Sequence, residues 1–182
     1  MKIFAALAFL LCSPALADTI TVSITRPNNT TQYTANTGWA NATSGAVSTP
    51  LKGFCKAVSG GAGVSEYLTD VEIIDGANQS TQLAGLIYIF DSPPSSPISD
   101  NATWNLATAD VITTTVTVPF TLANVSNAGS GAAGSQTVLA SIGAIHTCVG
   151  GGTAWLMVEV TNTYTPVANE VLTIRLKYEP LN

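Results

Sequence analysis

The chain has 182 residues and only 17 charged side chains, 9% where an ordinary soluble domain carries roughly a quarter. Eleven acids against six bases give a net charge of −5 and a pI near 4.5, which leaves no basic stripe for a phosphate backbone and excludes nucleic acid as a partner. With 46% hydrophobic residues and a mean hydropathy of +0.34, the chain has ample apolar surface for a core and is not a disordered segment.

Residues Met1–Ala17 read MKIFAALAFLLCSPALA, with one Lys, an apolar run from Ile3 to Leu11 and a small-x-small ending at Ala15-Leu16-Ala17. This is the layout of a secretory signal peptide, and the run is too short to span a bilayer. The expected organisation is a signal-like segment over 1–17 and one β-sandwich domain over 18–182. Cleavage would place the protein outside the cell, with no membrane association once the leader is removed; an attached N-terminal tail is the alternative. The leader carries one charge, so 16 remain on the other 165 residues. Cys12 lies in the leader, which leaves Cys55 and Cys148, 93 positions apart. In an exported domain they can close one long-loop disulfide; two buried thiols are the other reading.

Thr and Val make up 40 residues, and β-branched side chains suit a pleated surface better than a helix. Alternating runs predict strands over Thr19–Thr25, Glu66–Asp75, Leu83–Phe90, Val111–Phe120, Gln136–Ala144, Ala154–Val160 and Val171–Tyr178. In the last, Leu172, Ile174, Leu176 and Tyr178 share one face while Thr173, Arg175 and Lys177 share the other. Between the runs lie turn-forming stretches rich in Gly, Ser, Asn and Pro, at Ser59–Gly63, Asp91–Ser99, Asn124–Ser135 and Gly150–Thr153. A helical turn fits one place, Ser99–Ala109, with Ser99, Asp100 or Asn101 to cap it. The pattern predicts an all-β, two-sheet antiparallel β-sandwich of jelly-roll type.

The sequence holds little that reads as chemistry. His146 is the sole histidine, and neither a metal set nor a Gly-x-Ser-x-Gly elbow accompanies it. A packed histidine is the plain reading, a Cys148/His146 pair or a small hydrolase the sharper ones. Glu66, Asp70, Glu72 and Asp75 fall within ten residues, with Asp70 and Glu72 on one strand face, as a carboxylate pair or a solvated face would have them. The Asp75-Gly76-Ala77-Asn78 stretch has too few oxygen ligands for a calcium loop. No catalytic residue, cofactor or metal ligand is assigned. Trp39, Trp104 and Tyr33 are candidates for stacking on a sugar ring, with core packing as the alternative. Six Asn-x-Ser/Thr sequons follow from a composition rich in Asn and Thr.

Three segments carry a resemblance. Ile24–Ala35 (ITRPNNTTQYTA), Leu86–Leu106 (LIYIFDSPPSSPISDNATWNL) and Tyr164–Leu176 (YTPVANEVLTIRL) are similar, in the same order, to blocks of a family of small tailed-phage and prophage virion proteins. The resemblance implies a jelly-roll protein on the virion surface, a capsid decoration or fibre-like subunit with no catalytic residues to carry over. Leader and cysteine pair suit an exported protein instead, which a prophage-derived gene for a secreted surface or filament subunit would reconcile. The expected partners are copies of itself or other virion or surface subunits. A secreted carbohydrate-binding or adhesin module, taking glycans, is the alternative.

Overall fold

Most of the alternating runs become strands, and at 19–25, 114–120 and 171–178 the apolar row is the one turned inward. The computed structural model describes residues 17–45, 47–54, 65–77, 81–125, 134–147 and 153–181. Its elements are β1 (Asp18–Thr25), β2 (Thr37–Trp39), β3 (Thr49–Leu51), β4 (Ser65–Asp75), β5 (Ala84–Phe90), α1 (Thr108–Thr113), β6 (Thr114–Thr121), β7 (Ala123–Val125), β8 (Gly134–Thr147), β9 (Ala154–Val160) and β10 (Val171–Leu181).

Every strand pairing is antiparallel. One sheet has the order β1-β10-β4-β8-β7, and the other the order β2-β9-β5-β6, with β3 also paired to β9. The architecture is therefore an all-β, two-sheet antiparallel sandwich, the class expected from the sequence. Leu172, Ile174, Leu176 and Tyr178 of β10 are buried, with Leu68, Val71 and Ile73 of β4 beside them. They meet Ile87 and Ile89 of β5, Val116 and Val118 of β6 and Leu156 and Val158 of β9 in one cluster between the sheets. Each such side chain contributes about 1.5–3 kcal/mol by leaving water. A smaller cluster, Phe90, Ile98 and Met157 with Tyr88, Trp104, Leu106 and Trp155 against it, lies apart from that core.

The helix is displaced from its expected place. It occupies Thr108–Thr113 and not Ser99–Ala109, and it takes Val111, Ile112 and Thr113 from the run read as a strand. Asp110 explains the shift: its carboxylate accepts the Ser95 and Ser96 backbone N–H groups at 3.0 and 2.7 Å and both serine hydroxyls, which ties this turn to the proline-rich loop. The three-residue strands β2, β3 and β7 were not expected, and β7 and the start of β8 fall within the Asn124–Ser135 stretch read as a turn.

Segment 98–102 crosses β2 at close range. Gly38 donates to Ala102 O at 2.9 Å and accepts from Asn101 N–H at 2.8 Å, and Asn101 takes the left-handed φ of 58° that such a turn requires. A Cβ at Gly38 would stand 2.8 Å from the Ser99 carbonyl oxygen, which is backbone and cannot rotate away. Gly38→Ala is expected to cost about 1–3 kcal/mol through this overpacking, read as a lower urea midpoint with an unchanged slope.

Candidate functional site

β1 is followed by a residue that composition alone would place on the surface. Arg26 is 1% exposed, and its guanidinium is enclosed by partners from distant parts of the chain. Nη2 donates to Asp100 Oδ2 at 3.0 Å and to Asn29 Oδ1 at 3.0 Å, Nη1 donates to Asn29 O at 2.9 Å, and Nε donates to the Tyr33 hydroxyl at 3.1 Å. The Tyr33 hydroxyl donates in turn to Asp100 Oδ1. The cation also lies over two rings, 4.9 Å from the Tyr33 centroid and 5.8 Å from that of Trp39. Burial, and then the bond to and charge of Asp100, push the Tyr33 phenol far above its ordinary range, so it remains a donor and not a base.

A second buried node adjoins the first. The Tyr164 hydroxyl is hydrogen-bonded to Asp75 Oδ2, at 3.0 Å, and to Glu170, whose other oxygen accepts Val167 N–H at 2.6 Å. Aromatic contacts join the two nodes: Tyr33 stacks on Trp39 at 5.4 Å, and Trp39 meets Tyr164 at 6.2 Å. Backbone bonds do the same, with Tyr33 and Tyr164 bridged and Arg26 N–H donating to Glu170 O at 3.0 Å. Asp75 Oδ1 also accepts Ala77 N–H at 2.8 Å, a local turn at the start of the stretch weighed as a calcium loop, of which Asn78 lies outside the described residues.

Two of the three expected stacking residues are thereby corrected. Tyr33 and Trp39 are 0% and 2% exposed, their ring faces covered by each other and by Arg26, so no external sugar reaches them. Trp104 is different. It is half-buried outside the main core, stacked on Tyr88 at 4.8 Å, while Tyr88 donates its hydroxyl to Glu159 Oε2 at 2.7 Å.

His146 is fully buried. Its Nδ1 is bonded to the Thr115 hydroxyl, its ring lies 5.1 Å from that of Phe54, and Nε2 has no hydrogen-bond partner among the described residues. Its position is that of a packed core histidine. Asp70 and Glu72 do share an outer face, and there they meet cations: Arg175 reaches Glu72 at 2.8 Å and Lys177 reaches Asp70 at 3.5 Å. These four side chains and Thr19 line a shallow surface depression of about 350 Å³. Cys55 and Cys148 lie outside the described residues, as do residues 1–16.

Sequence reasoning missed the Arg26–Asp100 pair and the Tyr164–Glu170–Asp75 node. Arg26, Tyr33, Asp100, Tyr164 and Glu170 all fall inside the three segments 24–35, 86–106 and 164–176 singled out in the sequence, but nothing in those segments marked them as mutual partners. No family model matches this sequence, and no curated protein matches it.

The buried acid and the buried imidazole give opposite pH dependence. Burial, with the Asp75 charge adding to it against the bonds from Tyr164 and Val167, raises Glu170 from 4.5 to about 7. A folded value above the unfolded one makes this contribution complete below about 4.5 and lost as pH rises through about 7. Burial, partly offset by Asp91, lowers His146 from 6.5 to about 4, so its contribution is complete above about 6.5 and lost as pH falls through about 4. Between pH 4.5 and 7, Glu170→Gln is expected to lose less Tm on alkalinisation than the parent protein, and His146→Leu to lose less on acidification. Parallel thermal melts across that window check both slopes.

Proposed function

We propose that the protein is a non-enzymatic, self-assembling structural subunit of a surface particle or filament, either a phage virion surface subunit or a prophage-derived exported one. The observation that carries this reading is the direction in which its chemistry points. The guanidinium of Arg26, the carboxylates of Asp75, Asp100, Asp110 and Glu170 and the hydroxyls of Tyr33 and Tyr164 are bonded to one another or to nearby backbone inside the sandwich. The exposed rows of the edge strands β1 and β6 are neutral, Thr19, Thr21, Ser23 and Thr25 on β1 and Thr117, Pro119 and Thr121 on β6, while the outer face of β4 and β10 pairs its charges, Arg175 with Glu72 and Lys177 with Asp70. Neutral hydroxyl rows are cheaper to desolvate against a neighbour than charged ones.

Two further points support it. Strands β1-β10-β4-β8 lie opposite β2-β9-β5-β6, and the first two strands fall in different sheets, each beside one of the last two. That order favours the jelly-roll form of the sandwich, the form that the resemblance implies. The three resembling segments also meet through Arg26–Asp100, the Tyr33–Tyr164 bridge and the Arg26 N–H bond to Glu170 O. Electron microscopy of particles and filaments from producing cells and their medium tests the reading, with antibody labelling of this chain. Labelled particles or filaments are expected; a chain that is monomeric at high concentration and absent from every assembly overturns it.

One observation favours a second reading, a glycan-binding module. Tyr88 and Trp104 form a half-buried aromatic pair, and Glu159 is bonded to the Tyr88 hydroxyl. If this pair holds a sugar, Trp104→Ala abolishes glycan-array binding by a chain whose circular dichroism is unchanged. Silence of the parent protein across the array removes the second reading.

A further inference from the structure

β1 is the one long sheet edge among the described residues that carries no protection against strand addition. It pairs with β10 over eight unbroken positions, from Asp18 opposite Tyr178 to Thr25 opposite Val171, and has no described neighbour on its other side. The direction of its backbone groups follows from one bond. Arg26 N–H donates to Glu170 O, which extends the same register and makes position 26 a hydrogen-bonded pair. Antiparallel ladders alternate, so Ile24, Val22, Ile20 and Asp18 also turn their N–H and C=O groups to β10. Those of Thr19, Thr21, Ser23 and Thr25 therefore face the open side. The Asp18 carboxylate accepts Thr19 N–H at 2.8 Å and closes that end.

Natural edges are shielded by proline, charge, bulges or shortness. The others here are: β2, β3 and β7 have three residues each, β6 contains Pro119, a register shift against β5 and α1 at its start, and β8, paired with β7 only over Gly134–Gln136, is broken beyond it by a register shift against β4 between Ala140 and Ala144, with Gly143 at a φ of 66°. β1 has none of these between Thr19 and Thr25, and its inward Ile20 and Val22 remain half-buried where an added strand would cover them.

We propose that β1 is the self-association surface and that its occupant is β1 of a second copy, paired antiparallel about Ser23. The proposal rests on the self-assembly reading above and names the partner and the surface. Charge selects the direction, since an in-register parallel pair sets Asp18 beside Asp18 of the other copy, whereas the antiparallel pair keeps the two acids at opposite ends. Thr21 then faces Thr25 of the second copy, Ser23 faces its counterpart, and the five-stranded sheets of the two copies become one. Such an interface is isologous and closes as a two-fold dimer, the unit from which a larger assembly is built.

Sedimentation of the purified full chain over a range of concentrations tests this, with Ser23→Pro, Thr21→Lys and a control, Thr117→Lys on β6. Ser23→Pro removes an N–H that faces away from β10, and Thr21→Lys places a charge on an already exposed side chain, so circular dichroism and Tm should stay close to the parent's. The expected result is a dimer or larger species for the parent and the control, and at least tenfold weaker association for both β1 variants. If the β1 variants associate as the parent does, this surface is wrong while self-assembly stands. A parent that is monomeric at every concentration overturns both.

Discussion

The fold depends on a guanidinium that has been taken out of water. A buried arginine is costly unless its donors are met and its charge is countered, and here the groups that do so come from three separate stretches of chain. Asn29 and Tyr33 belong to the loop after β1, Asp100 to the segment that crosses β2, and Trp39 to β2 itself. Meeting these demands fixes where each stretch must run. The 98–102 crossing packs on Gly38, and Tyr33 and Trp39 stack where they can reach Tyr164. Through Tyr164 the constraint extends to Glu170, the residue before β10, and to Asp75, the last residue of β4.

This inward use of charge sharpens the compositional peculiarity of the chain. Arg26, Glu66, Asp75, Asp100, Asp110, Glu159 and Glu170 are all buried, seven of the few charged side chains that the sequence has. Among the described residues the exterior keeps two ion pairs, Arg175–Glu72 and Lys177–Asp70, and the edge strand β1 carries an outward row of Thr19, Thr21, Ser23 and Thr25. The same burial takes these seven side chains, and His146 with them, out of contact with solvent.

Much of the sandwich was legible because burial on one side of a sheet forces a period of two. The run at 171–178 shows it, with Leu172, Ile174, Leu176 and Tyr178 buried and the residues between them not. Three-residue strands are too short to display a period, which hid β2, β3 and β7. The helix was misplaced because its position is set by Asp110 binding Ser95 and Ser96, a tertiary demand that overrides the β preference of Val111, Ile112 and Thr113. The buried nodes were invisible for a related reason. Arg26 and Asp100 stand 74 positions apart, and Tyr33 and Trp39 in a polar stretch look as ready for a ligand as for a core.

The central claim is that Arg26 and Asp100 act as one unit holding these stretches of chain together. A double-mutant cycle of Arg26→Met and Asp100→Asn, measured by urea unfolding, tests it most directly. Each single change should cost about 3–5 kcal/mol, because it leaves the other group buried without its partner. The double variant should then be less destabilised than the sum by about 2 kcal/mol or more. Two costs that add to within about 0.5 kcal/mol would show that the residues act independently, and would contradict the account.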